Sequence, residues 1–262
     1  MDFNIERAFS FFKNDTDWLK KLMFGNLLAL IAMLFFFLPL IVSLITKTFN
    51  LGYFIFAIFC FIAGFIIALS IAGYCAQAGH DRIGSNAPIL PQWDDFGKYI
   101  FLGFKYFIGS VAFYLPVILL GCAVSFGIAF LKISAHASDI NALSFIFNSF
   151  YNIIYLVFMA FYFLFCANFI KDFDFTSFLN YPKAFKLVKN NWINYLVLIL
   201  IALAVGIVFN IVAVIMALTI VGIFLIPFVS IYFQIVTYDI IAQYIDMSDV
   251  DTIQIEEENQ VK

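Results

Sequence analysis

The chain has 262 residues, of which 65% are hydrophobic and 12% are charged, and its formal net charge is −3. Soluble domains are about half apolar and about a quarter charged, and a soluble fold of this length cannot keep so much apolar surface away from water. The composition therefore excludes an ordinary soluble protein and predicts an integral membrane protein.

A short amphipathic segment precedes the first apolar run. Four apolar residues recur there at the spacing of one helical face: Ile5, Ala8, Phe9 and Phe12. Trp18, Lys20 and Lys21 follow, and tryptophan and lysine are typical of the boundary between lipid and water. We therefore expect an interfacial elbow helix here, with these three residues as interface anchors.

Uncharged runs then extend over 22–45, 51–79, 106–131, 140–170 and 190–238. A helix needs about 20 apolar residues to cross a bilayer, so the last run must fold back, and we expect the turn near 216–222. The predicted fold class is an all-α polytopic membrane protein with about six spans in three hairpins, accompanied by cytoplasmic amphipathic elbow helices. A single membrane domain over 1–245 would hold the spans, approximately 22–45, 51–78, 100–131, 145–170, 192–215 and 221–244.

The basic residues are distributed unevenly between alternate connections. One side of the membrane would carry the four before the first span, Arg82 and Lys98, the four lysines of 171–189, and Lys262. The other side would carry only Lys47 and Lys132. Cytoplasmic loops carry the excess of lysine and arginine, so we expect a multi-pass protein of the cell (cytoplasmic) membrane with both termini in the cytoplasm. Residues 246–262 are predicted to form an acidic, solvated and partly disordered cytoplasmic tail.

The second connection contains a distinctive motif, residues 91–97, with the sequence Pro-Gln-Trp-Asp-Asp-Phe-Gly. Asp94 or Asp95 can cap the third span, where a carboxylate also suits the positive end of the helix dipole. Trp93 is of the type that anchors at a lipid interface. An acid–base or cation site at the two aspartates is the less favoured alternative. Pro91, Trp93, Asp94 and Asp95 are the candidate motif for contact with a cytoplasmic partner.

The fourth connection shows a second apolar stripe at helical spacing. Its members are Phe178, Tyr181, Phe185, Val188 and Trp192. Lys183, Lys186 and Lys189 flank the stripe, which predicts a second interfacial helix with Trp192 as an anchor. Its lysines favour an anionic leaflet. The text of this elbow partly repeats that of the first, and chance and duplication explain the repeat equally well.

Several short motifs stand in order along the chain: 15–22 (Asp-Thr-Asp-Trp-Leu-Lys-Lys-Leu), Gly73-Tyr74, the loop 90–97, 103–105 (Gly-Phe-Lys) and 114–116 (Tyr-Leu-Pro). In this combination the chain resembles an uncharacterised prokaryotic membrane-protein family, domain of unknown function 4013. The resemblance covers residues 3–130 best, and the second half only in its pattern of elbows and spans. It implies a multi-pass protein of the cytoplasmic membrane and carries no activity with it.

Two ionisable residues within the predicted spans are candidates for function, because charges are costly inside a bilayer. Lys105 in the third span either reaches the nearby headgroups or pairs with Asp239 near the inner end of the sixth span. Such a pair would lock two helices together or gate a path between them.

The sequence offers no catalytic, metal or cofactor motif, so we expect a protein that is not an enzyme and holds no metal or cofactor. No basic cluster suits nucleic acid. The expected partners are the lipid bilayer, anionic lipids and a possible protein subunit. The favoured function is a membrane scaffold or accessory protein, and the alternative is a small-solute or lipid transporter with a cavity near Lys105 and Asp239. An intramembrane enzyme is the weakest hypothesis.

Overall fold

The computed structural model describes residues 3–10, 13–47, 50–85, 89–134 and 140–260, with the side chains in these ranges except 131–134, 140–143, 190 and 249–260. The regular structure of these residues is helical throughout. The helices are α1 (Ile5–Phe9), α2 (Trp18–Thr46), α3 (Leu51–His80), α4 (Phe96–Ser134), α5 (Ile140–Asp172), a 3-10 helix (Phe175–Phe178), α6 (Tyr181–Asn190), α7 (Trp192–Ala217) and α8 (Ile220–Gln260).

Six of these helices, α2 to α5, α7 and α8, are long and apolar enough to cross a membrane. This confirms the predicted class of a multi-pass helical membrane protein. The turn between α7 and α8 occupies 218–219, inside the range 216–222 expected from the sequence. The tail differs from expectation, because α8 continues to Gln260. The chain from 228 onwards contains no glycine or proline that would end the helix.

The long helices pack as neighbours along the chain, α2 on α3, α3 on α4, α4 on α5 and α7 on α8. Helix α8 also packs on α2 and α3, which joins the last hairpin to the first. Helices α3 and α4 cross in close contact, because a Cβ atom on Gly73 would collide with the carbonyl of Tyr99 and one on Gly103 with that of Leu69. Glycine is needed at both positions because the two backbones are in contact there.

The bundle has two unlike ends. We call the end that carries α1, residues 81–85 and 89–95, the 3-10 helix and α6 the elbow end. The opposite end, with the connection at 218–219, is the turn end. The buried side chains of α2 and α7 lie mostly in their first halves and those of α3 mostly in its second half, which places most of them towards the elbow end. Large apolar side chains at the turn end are exposed: Leu44, Ile45, Leu51, Phe126, Leu218 and Ile220.

The elbows are shorter than the sequence predicted. Helix α1 spans only Ile5–Phe9 with Ala8 buried, and Phe12 lies outside the described residues. In the fourth connection the predicted single stripe is divided between the 3-10 helix and α6. Phe178 was predicted to lie at the lipid interface, which is wrong. Its ring is fully buried against Tyr106, Tyr162 and Phe169, and it fills the space that Gly109 leaves beside α4.

Candidate functional site

The candidate site is a pair of buried ion clusters at the elbow end. The first is centred on Asp239 of α8, whose carboxylate is completely buried. Arg82, which follows α3 and is equally buried, places Nη1 2.7 Å from Oδ1 of Asp239 and donates a hydrogen bond to it. Gln243 donates from Nε2 to the other oxygen at 2.7 Å, and Arg7 Nε lies 3.6 Å from Oδ1. We call these four residues the Asp239 cluster.

The same cluster fastens α1 to the bundle. The backbone N–H of Asn4 donates to Gln243 Oε1 at 2.7 Å, and Gln243 Nε2 donates to the Asn4 carbonyl at 3.0 Å. Arg7 Nη2 donates to the carbonyl of Arg82 at 2.9 Å, and Tyr232 donates from its hydroxyl to the Phe9 carbonyl at 3.2 Å. The N-terminal elbow, the end of α3 and the middle of α8 are thus held together by polar contacts.

The electrostatics of the cluster are those of a closed ion pair. Burial lowers the pKa of Arg82, and the Asp239 carboxylate opposes that shift. The ordinary pKa of arginine is so high that the guanidinium remains charged. A buried charge without a partner is strongly unfavourable, so each member of the pair requires the other.

The predicted pairing of Lys105 with Asp239 is wrong. Lys105 Nζ donates to the carbonyl of Phe173 at 3.1 Å and lies 4.7 Å from the centre of the Phe101 ring. Phe173 follows the last residue of α5, and a lysine there satisfies a carbonyl that the helix leaves free. Asp239 is instead neutralised by Arg82 and Arg7, which the sequence interpretation had counted only among the basic residues outside the spans.

The second cluster joins α2 to the connection before α4. Lys21 and Asp15 are both nearly buried, with Lys21 Nζ 2.8 Å from Asp15 Oδ2. Lys21 also donates to the carbonyl of Leu90 at 2.7 Å, and the backbone N–H of Leu90 donates to Asp15 Oδ2 at 3.0 Å. The expectation that Lys21 anchors at the lipid interface is therefore wrong, because its ammonium group is enclosed by protein.

The motif at 91–97 is docked on this cluster. Trp93 stacks flat on Tyr74 with ring centroids 3.9 Å apart, and its indole N–H donates to the Lys21 carbonyl at 2.9 Å. Tyr74 donates to the Pro91 carbonyl at 3.2 Å, and Tyr99 donates to the Gln92 carbonyl. Trp93 thus packs on protein, although the sequence interpretation had placed it at the lipid interface.

The two aspartates of the motif have different surroundings. Asp95 Oδ1 accepts a hydrogen bond of 2.9 Å from the backbone N–H of Lys98, which is the predicted cap at the start of α4. Asp94 is exposed and lines a groove of about 450 Å³ together with Asp17, Lys20 and Trp93. Within the described part of the chain, no group of three or more His, Cys, Asp and Glu residues could hold a metal ion.

The other predicted anchors lie on the surface to different degrees. Lys20 is exposed and forms an ion pair of 2.7 Å with Asp17. Trp192 is 58% exposed at the start of α7, whereas Trp18 is half-buried beside the core. Two further clefts flank the bundle, one of about 590 Å³ between α4 and α5 towards the turn end and one of about 440 Å³ on α6.

Comparison with known proteins gives one family. The family described as "Protein of unknown function (DUF4013)" matches residues 55–218. The match begins later and extends further than the region 3–130 on which the sequence resemblance was drawn. No curated protein and no solved structure gives a significant match.

Proposed function

The chain belongs to the DUF4013 family, and we propose that this multi-pass protein is a membrane scaffold or accessory protein that binds lipids or partner subunits. In this proposal it is not an enzyme and binds no nucleic acid. It lies in the cell membrane with both termini in the cytoplasm, so that the elbow end faces the cytoplasm.

The observation that carries the proposal is the complete burial of Asp239 in its ion pair with Arg82. A transporter that used Asp239 would need water or substrate to reach the carboxylate. Here three side chains surround the carboxylate: Arg7 of α1, Arg82 just beyond α3, and Gln243 of α8. Lys105, the other residue of the transport hypothesis, is bound to a backbone carbonyl.

The uneven packing of the bundle supports a binding role. The elbow end has the dense core, while the helices at the turn end expose long rows of leucine, isoleucine and phenylalanine. In a membrane this surface meets lipid chains or the spans of another protein. The rigid end would hold the six helices while the open end offers the contact surface.

Thiol accessibility tests the proposal on the full-length chain. In a variant without Cys60, Cys75, Cys122 and Cys166, a cysteine replaces either Val236, which is fully buried one turn before Asp239, or the exposed Asp94. A membrane-impermeant thiol reagent is then added to right-side-out and inside-out vesicles.

The two positions should respond differently. Asp94→Cys should react only in inside-out vesicles, which also tests the cytoplasmic orientation of the elbow end. Val236→Cys should react in neither preparation. Reaction of Val236→Cys from either side would reveal a water path to the Asp239 cluster and would overturn the scaffold in favour of transport. Extraction into polymer discs should retain lipids or subunits in a fixed ratio, and their absence would also contradict the proposal.

A further inference from the structure

Helix α6 lies against the bundle on one side only. Ala184 is buried, and the Leu187 carbonyl accepts a hydrogen bond of 2.9 Å from the hydroxyl of Tyr244 on α8. The rings of Tyr181 and Phe185 lie 5.3 Å and 5.5 Å from Phe165 and Phe161 of α5. These contacts fix the orientation of α6 and leave its outer side open.

The outer side forms a groove of about 440 Å³. It is lined by Pro182, Phe185, Lys186, Val188 and Lys189. Its floor is apolar, and Phe185 remains 53% exposed. Both lysines are exposed and lie three residues apart, so they flank the floor on one helical face. The groove therefore combines an apolar surface with two neighbouring ammonium groups.

The lysines of α6 differ in their acidic partners. Lys183 forms an ion pair with Asp172, but Lys186 and Lys189 form none with an acidic side chain among those that the structure describes, which do not include 249–260. The sequence contains no aspartate or glutamate between Asp174 and Asp239. An anion at the groove would meet attraction from both lysines, and neither lysine is held by an acidic side chain that the structure describes.

We propose that the groove on α6 binds the headgroup of an anionic phospholipid. The phosphate lies between Lys186 and Lys189, and the first carbons of an acyl chain cover Phe185 and Val188. The spanning helix α7 begins at Trp192, directly after α6, so the groove stands at the foot of a membrane span. A free phosphate ion would have no contact with the apolar floor, which favours a lipid as the occupant.

This site deepens the proposed function by naming the lipid class, and it rests on the lipid-binding part of that proposal. Trp192 supplies a reporter, since it is 58% exposed and three residues beyond Lys189. The full-length protein is reconstituted in phosphatidylcholine with increasing fractions of either dibrominated phosphatidylglycerol or dibrominated phosphatidylcholine. The quenching of tryptophan fluorescence by bromine then gives the relative affinity for the two lipids.

The anionic lipid should quench at lower fractions, with about a fivefold preference for each lysine that contacts it, which corresponds to about 1 kcal/mol. Lys186→Gln with Lys189→Gln should abolish the preference. The control variant, Lys20→Gln with Lys98→Gln, removes the same charge from the elbow end outside the groove and should keep the preference for the anionic lipid. Trp192→Phe should remove the selective part of the signal.

Equal quenching by the two lipids, or a preference that survives the groove double variant but not the control, would overturn the site. Quenching that inorganic phosphate abolishes would assign the site to a free anion and would also overturn it. These outcomes are distinct from failure of the scaffold proposal, because the accessibility of Val236→Cys does not depend on the α6 lysines. Selective quenching together with a reactive Val236→Cys would leave a lipid site on a transporter.

Discussion

The guanidinium of Arg82 lies 2.7 Å from the carboxylate of Asp239, across 157 positions of sequence, and both side chains are completely buried. Such a pair is a weak source of stability compared with apolar packing, because both charges lose their hydration. As a constraint on the fold, however, the pair is strong, because the loss of either residue leaves the other charged and buried. The pair therefore fixes how the end of α3 meets α8.

We predict that Arg82→Leu and Asp239→Leu each lower the free energy of unfolding by about 3–5 kcal/mol. Asp239→Leu leaves the buried Arg82 without its carboxylate, and Arg82→Leu leaves Asp239 with only the more distant Arg7. The double variant should recover most of this loss, since it removes both charges and keeps an apolar contact. Unfolding in SDS, followed by tryptophan fluorescence, provides the measurement.

The surface substitution Lys98→Gln is the control for this prediction and should leave unfolding unchanged, because Lys98 is exposed. If the double variant were as unstable as the worse single variant, the two residues would not act as a pair. Arg7→Gln should cost less than Arg82→Leu, because Arg7 is partly exposed and its Nε lies further from the carboxylate.

The membrane class could be predicted from the sequence because it depends on composition and run length, which are local properties. Five uncharged runs are long enough to cross a bilayer, and the last, 190–238, had to contain a turn, so the number of spans came to six. The cap at Asp95 was also predictable, since capping involves residues three positions apart.

The partner of Asp239 could not be predicted in the same way. Lys105 was proposed because both residues lie in spans at similar expected depth, but contact depends on which helix faces which. Arg82 lies in a connection and Arg7 in the N-terminal elbow, and both look in the sequence like basic residues that only set the orientation in the membrane. One signal was present. Buried carboxylates are neutralised by a cation, so every basic residue near the same end was a candidate partner.

A charge exchange tests the corrected assignment of Lys105. Lys105→Asp combined with Asp239→Lys should be no better expressed than Asp239→Lys alone, because the two side chains are not paired. Lys105→Met alone should cost only about 1 kcal/mol, the typical net value of one hydrogen bond, here to the Phe173 carbonyl. Expression in the membrane fraction and SDS unfolding are the readouts, and rescue by the double exchange would restore the original pairing.

Two neighbouring lysines provide a matched test of the second cluster. Lys21→Met should destabilise the protein strongly and release the 89–95 connection, because Asp15 loses its cation and the Leu90 carbonyl loses its donor. Lys20→Met should change little, since Lys20 is exposed and pairs with an exposed aspartate. Limited proteolysis of the 89–95 connection and apparent melting temperature would detect the difference. Equal effects from the two substitutions would show that burial of Lys21 is unimportant.

The crossing of α3 with α4 gives the last prediction. Gly73→Ala and Gly103→Ala should each lower the apparent melting temperature and the yield of folded protein, because the added methyl group meets backbone that cannot move aside. Gly127→Ala, in the same α4, is the control, since nothing lies within 4 Å of a Cβ there. The same chemical change should thus be harmful at 73 and 103 and neutral at 127. The Gly73 and Gly103 variants should also lose the hydrogen bonds to the 89–95 connection, because Tyr74 and Tyr99 flank the crossing and donate to that connection. If all three alanine variants had the same apparent melting temperature, helix propensity rather than close contact would explain these glycines.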